Sequence, residues 1–410
     1  MVFPDGFLWG AATAGHQVEG NNTASDFWAL EHAPGSRFAE PSGDACDHYR
    51  LYREDLALLK ELGFTSYRFS IEWSRVEPEP GFVSRAAIEH YRDVLTACHE
   101  LGLTPMVTLH HFASPKWLPD LGGWEGEETP DRFAAHCRVV LGELGSLIPY
   151  VVTINEANIA RLTHQMIKDL PARKTQDTAA GQAPVGADIA GALLGTDRPK
   201  VFLFAFGEAG PDIAKRAHVL ARQAIREVSP STKVGITLAL QDYQPAPGAE
   251  EVARERWAET FGDYLPTIAD DDFLGVQNYT KARVGASPPP QDTERTQMGY
   301  EFYPRALENV LRRAATAGLP LFVTENGVAT ADDTRRVEFI RQATDGLHRC
   351  LADGVDVRGY FYWSALDNYE WMFGYRPKFG LIAVDRATQR RTVKDSARFL
   401  GAIAKRNSLS

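Results

Sequence analysis

Two glutamates in this chain each follow directly on an apolar, β-branched run: Glu156 after Val151-Val152-Thr153-Ile154-Asn155, and Glu325 after Leu321-Phe322-Val323-Thr324. Either one alone reads as a salt-bridge partner or an acid capping a helix. Brought to one mouth, the two read as chemistry. Cleavage of a glycosidic bond needs one carboxyl that is protonated, to help the leaving oxygen depart, and one that is ionised, to attack or to activate water. Close carboxylates also tune each other, since charge on one raises the pKa of the other, and a nearby arginine keeps its partner ionised. Arg68 and Tyr279 are expected to lie near the pair.

Groups so far apart in sequence need a scaffold that gathers them. Apolar runs at residues 7–14, 65–71, 104–110, 150–155, 233–240, 273–278, 319–324 and 357–363 predict eight strands, continuous rather than alternating, as in a parallel sheet buried on both faces. Between them lie amphipathic helical patterns such as Tyr49, Tyr52, Leu56, Leu59 and Leu62, which share one stripe. Several of these helices stop at a glycine just before the next strand: Gly63, Gly102, Gly318 and Gly354, each suited to a left-handed C-cap. The expected fold is therefore α/β, a single (β/α)8 barrel spanning residues 1–410, rather than an open doubly wound sheet. Residues 201–206 would also pass as a strand.

Most of the eight runs end in polar or aromatic residues that an apolar core would not use. Gln17 and Glu19 follow the first, Arg68 lies in the second, and His110 and His111 end the third. Asn155 and Glu156 end the fourth, Asn278 and Tyr279 the sixth, Glu325 and Asn326 the seventh, and Trp363 with Asp367 the eighth. In a barrel these ends converge on one face, where barrel enzymes hold their catalytic groups. Long excursions at 21–47, 168–200 and 282–300 are expected to line the same face.

Composition narrows the function. A 44% hydrophobic and 24% charged chain is an ordinary globule with a large core. A formal net charge of -10 opposes polyanions, so neither nucleic acid nor an anionic membrane is an expected partner. The start Met1-Val2-Phe3-Pro4-Asp5 lacks the basic and apolar stretches of a secretory signal, which points to a cytoplasmic address. Four scattered cysteines, Cys46, Cys98, Cys137 and Cys350, suit neither a disulfide framework nor a close-spaced zinc site.

The chain resembles glycoside hydrolase family 1, the β-glucosidase family. The resemblance runs from Phe7-Leu8-Trp9-Gly10 to Phe379-Gly380-Leu381 and Val384-Asp385. It includes Gln17-Val18-Glu19-Gly20, Arg68-Phe69-Ser70-Ile71, Thr153-Ile154-Asn155-Glu156, Asn278-Tyr279 and Thr324-Glu325-Asn326-Gly327. It also takes in Trp363-Ser364-Ala365-Leu366-Asp367-Asn368-Tyr369-Glu370-Trp371. Each motif is weak alone; their order and spacing together are specific.

Carried over residue by residue, the resemblance implies Glu156 as acid/base and Glu325 as nucleophile, with Arg68 and Tyr279 holding Glu325 ionised and oriented. It implies a glycone pocket of Gln17, His111, Asn155, Glu370 and Trp371, with Trp363 as a platform under the sugar ring. The chemistry of those side chains fits: amides and carboxylates bond hydroxyls in pairs, and indole faces pack on sugar C–H surfaces. No metal or organic cofactor is implied, only a small-molecule β-glycoside substrate. His110, Tyr360, Phe361 and Tyr362 read as core, Arg75, Asp367 and Asn326 as supports, and Glu72 and Glu77 as surface or structural acids. Ala157 stands where the family has proline, and Phe112 where it has tryptophan. Relatives that take 6-phospho-sugars carry serine near the Glu370 position and a Lys/Tyr pair downstream, where this chain has Pro377 and Phe379, so an unphosphorylated β-glucoside is implied, with β-galactosides or β-fucosides as alternatives. A transglycosylase using the same glutamates, or a silent sugar-binding barrel, are the rival readings.

Overall fold

In a computed structural model that describes residues 2–168, 200–205, 207, 209–285 and 292–409, eight parallel strands close into a barrel. They are β1 (Leu8–Ala12), β2 (Ser66–Ser70), β3 (Thr104–Thr108), β4 (Tyr150–Val152), β5 (Lys233–Ala239), β6 (Phe273–Gln277), β7 (Leu321–Asn326) and β8 (Val357–Trp363). Each pairs with its neighbours in sequence, and β8 pairs with β1 in the register Leu8 to Gly359 and Ala12 to Trp363, which closes the ring. The longer helices outside are α1 (His48–Leu62), α2 (Arg85–Glu100), α3 (Thr129–Leu144), α4 (Ile159–Lys168), α5 (Ala209–Val228), α6 (Glu250–Thr260), α7 (Ala306–Ala314), α8 (Asp333–Ala352) and α9 (Asp395–Arg406). Gly63, Gly102, Gly318 and Gly354 all take positive φ, as their places before strands predict.

The barrel is plugged rather than hollow. Met106, Val152, Phe273, Phe322, Phe361 and Trp363 form one cluster with Ala12 and Ala14. Glycine at position 10 makes room for it, since a Cβ there would lie 2.5 Å from the Phe361 ring. The larger cluster, including Leu56, Leu59, Val107, Ile236 and Leu347, fills the layer between strands and helices. Burying each such side chain is worth about 1.5–3 kcal/mol, which fixes the strands as a rigid frame for what they carry.

The strands are mostly shorter than the apolar runs at their C-terminal ends. β3 stops at Thr108 and β4 at Val152, although backbone bonds between the two continue past both ends, from the Leu109 N–H to the Val152 carbonyl at 2.9 Å and from the Asn155 N–H to the His110 carbonyl at 2.8 Å. β7 is the exception and runs two residues further than expected. Val276 pairs with Val323, but the next pair is Gln277 with Glu325, so Thr324 is an extra residue in the strand. Such a bulge bends the strand and re-aims the side chain that follows it. The segment at 201–206 that would also pass as a strand holds no strand among its described residues: Phe202–Phe204 is a single 3-10 turn. Its apolarity serves packing, with Phe202 edge-on to His110 and Trp124. Residue 206, and 169–199 of the second long excursion, lie outside the described residues.

Candidate active site

Glu325 is held from two sides. Arg68 Nη1 donates to its Oε1 at 2.6 Å, and the Tyr279 hydroxyl donates to its Oε2 at 2.5 Å. Arg68 is wholly buried in β2, and its other arm, Nη2, donates to Asn155 Oδ1 at 2.5 Å. The same Asn155 oxygen accepts from Gln277 Nε2 at 2.7 Å. Side chains from β2, β6, β7 and the end of β4 are thereby tied into one network. A buried guanidinium tolerates its position only with partners of this kind, since removing one partner from a buried pair costs about 3–5 kcal/mol.

Glu156 is placed differently. Its backbone takes the left-handed region at φ 46°, and its N–H donates to Thr237 Oγ1 at 2.8 Å. Among the described residues its carboxyl has no hydrogen-bond partner. A non-glycine residue in this region stores about 1–3 kcal/mol of strain, which persists where the surroundings over-determine it. Phe112 and Trp371 share the feature, at φ 67° and 49°.

These environments push the two acids apart. Burial raises Glu156 well above the ordinary carboxylate range, and the charge of Glu325 raises it further, against the pull of Arg68. Burial also raises Glu325, but the Arg68 charge and the hydrogen bonds from Tyr279 and Arg68 hold it down. Tyr279 itself is pushed up by burial and by Glu325, so it keeps the proton it donates. The arrangement can therefore hold one carboxyl as an acid and the other as an anion.

Around the pair stand the remaining predicted residues. Gln17, on the short helix Gly15–Val18, donates to the Tyr369 carbonyl at 2.6 Å and to Glu370 Oε2 at 3.4 Å. Burial, then the charge of Glu325, pushes Glu370 up to about 8. The His111 ring is nearly parallel to both Trp363 and Trp371, with centroids 5.6 and 6.3 Å away. His111 Nε2 accepts from Asn155 Nδ2 at 3.2 Å, and burial, followed by the Arg68 charge, holds the imidazole neutral. Its Nδ1 and the Gln17 Oε1 are buried without a partner among the described residues. Unpaired buried polar atoms are rare and ask for an explanation; hydroxyls of a ligand would satisfy these two.

Other candidates lie elsewhere. His110 turns to Ser114 Oγ at 2.9 Å among Trp124 and Phe202. Glu19 binds Arg75 at 2.6 Å, and Asn326 bridges the Asn278 carbonyl and the Tyr360 hydroxyl. Asp367 pairs with Lys394 at 2.8 Å. Glu72, read as a surface or structural acid, is fully buried and accepts from Ser70 at 2.7 Å and Asn22 at 3.0 Å, which leaves only the structural reading. Two residues of the site were not anticipated. Gln277 was hidden inside an apolar run, although an amide within a strand buried on both faces is itself a signal. Tyr300 was not singled out, although it ends the 282–300 excursion expected to line the mouth; burial, then the charges of Glu370 and Glu156, raise its pKa.

A closed parallel barrel carrying at its mouth an arginine-clamped carboxylate and a second, proton-holding one defines a glycoside hydrolase. The sequence profile described as Glycosyl hydrolase family 1 matches residues 1–265 and 260–409, and the chain belongs to that family. It is 30% identical to "Beta-glucosidase A" of Thermotoga maritima, over 99% of this chain and 98% of that protein. It is 32% identical to "Thermostable beta-glucosidase B" of Thermobispora bispora, over 100% and 92%. Among solved structures, β-glycosidase BGL167 superposes with a TM-score of 0.88 at 51% identity, covering 99% of this chain and 98% of that one. The Thermotoga maritima β-glucosidase in complex with noeuromycin gives 0.84 at 28% identity, covering both chains fully.

Proposed function

We propose that this glycoside hydrolase is a retaining, exo-acting β-glucosidase. The observation that carries the reading is the asymmetry of the two glutamates: Glu325 accepts from Arg68 and Tyr279, while Glu156 is buried with its carboxyl unbonded. Glu325 attacks the anomeric carbon as Glu156 gives its proton to the leaving oxygen, so the glycosidic C–O bond breaks and a covalent glycosyl-enzyme forms. Glu156, now a base, takes a proton from water, which displaces Glu325 and releases the sugar with its starting configuration.

Gln17, His111, Asn155, Glu370 and Trp371 bind the glycone in this reading, and Trp363 lies under its ring. The unpaired Gln17 Oε1 and His111 Nδ1 support that, as does the naming of relatives as β-glucosidases. The substrate is an unphosphorylated β-glucoside, with β-galactosides and β-fucosides next in order. A single catalytic domain and a cytoplasmic address belong to the same reading; four buried free thiols suit a reducing compartment, and among the described residues no helix is long and apolar enough to cross a membrane.

The test is a panel of nitrophenyl β-glycosides, with the product anomer followed by proton NMR in the first minutes. The expected result is fastest turnover of the β-glucoside with the β-anomer released first. An α-anomer as first product would overturn the retaining mechanism.

A further inference from the structure

Trp371 is held by residues that no substrate can reach. The His16 ring lies parallel to its indole, with centroids 5.6 Å apart and planes 4° apart, and Phe27 packs on it at 4.7 Å. His16 is buried, with its side chain fully enclosed. Its Nε2 is 2.7 Å from Glu31 Oε1, while Glu31 Oε2 accepts from the Ser42 N–H at 2.9 Å and the Ser42 hydroxyl at 2.7 Å. On the other edge of the ring, Nδ1 faces Ser25 Oγ at 3.3 Å and Asn22 Nδ2 at 3.5 Å. Ser25 in turn caps the helix Asp26–Glu31, accepting from the Trp28 N–H at 3.0 Å. Both ring nitrogens are thus engaged, which fixes the imidazole plane as well as its position.

That plane matters because Trp371 occupies the left-handed region, where an indole is kept only by over-determined surroundings. Among the described residues its indole N–H has no protein acceptor, so its hydrogen-bonding edge is left free. We propose that His16 and Glu31 are positioning residues for glycone binding: their hydrogen-bonded pair fixes the imidazole, and the imidazole fixes the indole of Trp371 in the plane that meets the sugar. The inference rests on the reading of Trp371 as a glycone contact. It assigns the excursion at 21–47, through Glu31, a part in sugar affinity that no contact of its own with sugar would give it.

The experiment uses glucose as a competitive inhibitor and 4-nitrophenyl β-glucoside as substrate. Trp371→Ala should raise the Ki for glucose by about tenfold or more, equivalent to a lost interaction of roughly 1.4 kcal/mol. His16→Ala, and His16→Gln, which keeps a partner for Glu31 but lacks the ring, should each raise Ki and KM by about tenfold with kcat within about threefold of the parent. Glu31→Ala should do the same, and Glu31→Gln, which keeps an acceptor for the imidazole N–H, should restore most of the affinity. Added to Trp371→Ala, His16→Ala should change Ki no further, because it acts through the indole. A folded His16→Gln or Glu31→Ala enzyme that binds glucose like the parent, while Trp371→Ala does not, overturns the positioning role and leaves these residues a purely structural one. Unchanged glucose affinity in Trp371→Ala would instead remove the glycone contact, and the inference with it.

Discussion

Arg391 grips Asp55 with both arms, Nε to Oδ1 at 2.7 Å and Nη2 to Oδ2 at 2.9 Å, where α1 meets the hairpin formed by Ile382–Val384 and Arg391–Val393. Arg68 grips Glu325 at the mouth of the barrel, and there too both side chains are almost completely enclosed. The charges match, yet the two acids have their pKa values shifted in opposite directions. Burial alone would raise Asp55, but hydrogen bonds from Arg391 and His48 outweigh it and leave its pKa below the ordinary value. Glu325 stays raised because burial outweighs Arg68, and its charge in turn raises the carboxyls of Glu156 and Glu370. In the wall, donors and acceptors balance and the pair ties two elements together. At the mouth, carboxyls outnumber the cations facing them. That excess is expensive in stability and useful only to chemistry, which is why strongly shifted acids gather at functional sites.

The comparison breaks most visibly when each acid is removed. Glu325→Ala should cost several orders of magnitude in turnover of every substrate, as loss of a nucleophile does. Azide should then restore part of the activity on activated substrates by attacking from the vacated face, giving an inverted azide product. Glu156→Ala should cost about 10²–10⁴-fold on alkyl glucosides, while dinitrophenyl glucosides, whose leaving group needs no proton, retain most of their glycosylation rate. Azide should rescue this variant with retention. Azide products with the two configurations exchanged would show that the glutamates have been assigned the wrong way round.

The wall pair should fail in another currency. Asp55→Ala leaves Arg391 buried without its acid, and the expected loss is about 3–5 kcal/mol of unfolding free energy in urea titrations. The kcat/KM of the folded enzyme should be unchanged, because Asp55 touches no residue of the mouth. If the variant kept its stability but lost turnover, the division into a structural and a catalytic pair would be wrong.

Eight apolar runs sufficed to foresee the barrel, because strands buried on both faces have no polar positions to blur the pattern, and glycines before four strands marked where helices must stop. The polar residues that end those runs also identified much of the mouth. What stayed hidden was geometry that local sequence does not encode. Nothing in Leu321-Phe322-Val323-Thr324-Glu325 announces the bulge at Thr324, since a bulge depends on the register of both neighbouring strands. Phe202–Phe204 passed for a strand because a short apolar run cannot distinguish ladder pairing from packing. His16 and Glu31 carry no motif of their own, and their pairing beneath Trp371 exists only once residues far apart in sequence are folded together.

A pH titration should separate the two pairs without any mutation. Asp55 has a folded-state pKa below its unfolded value of about 3.9, so its contribution to stability is fully present above that value and is lost only as pH falls through the lower, folded one. Glu325 has a raised pKa and must be ionised to attack, so kcat/KM should begin to fall at a higher pH than the stability contributed by Asp55. Glu156 must carry a proton, and its pKa lies well above the ordinary range, so a second loss of activity is expected as pH rises through it. Measured together, kcat/KM and the urea midpoint should give an acid limb of activity along which the protein remains folded and recovers fully on return to neutral pH. In the parent enzyme the alkaline limb of kcat/KM should be much weaker on a dinitrophenyl glucoside, whose leaving group needs no proton, than on an alkyl glucoside, while the acid limb stays on both. An acid limb that coincides with the unfolding transition would mean that the mouth has no titration of its own, and that loss of activity at low pH reports only collapse of the wall.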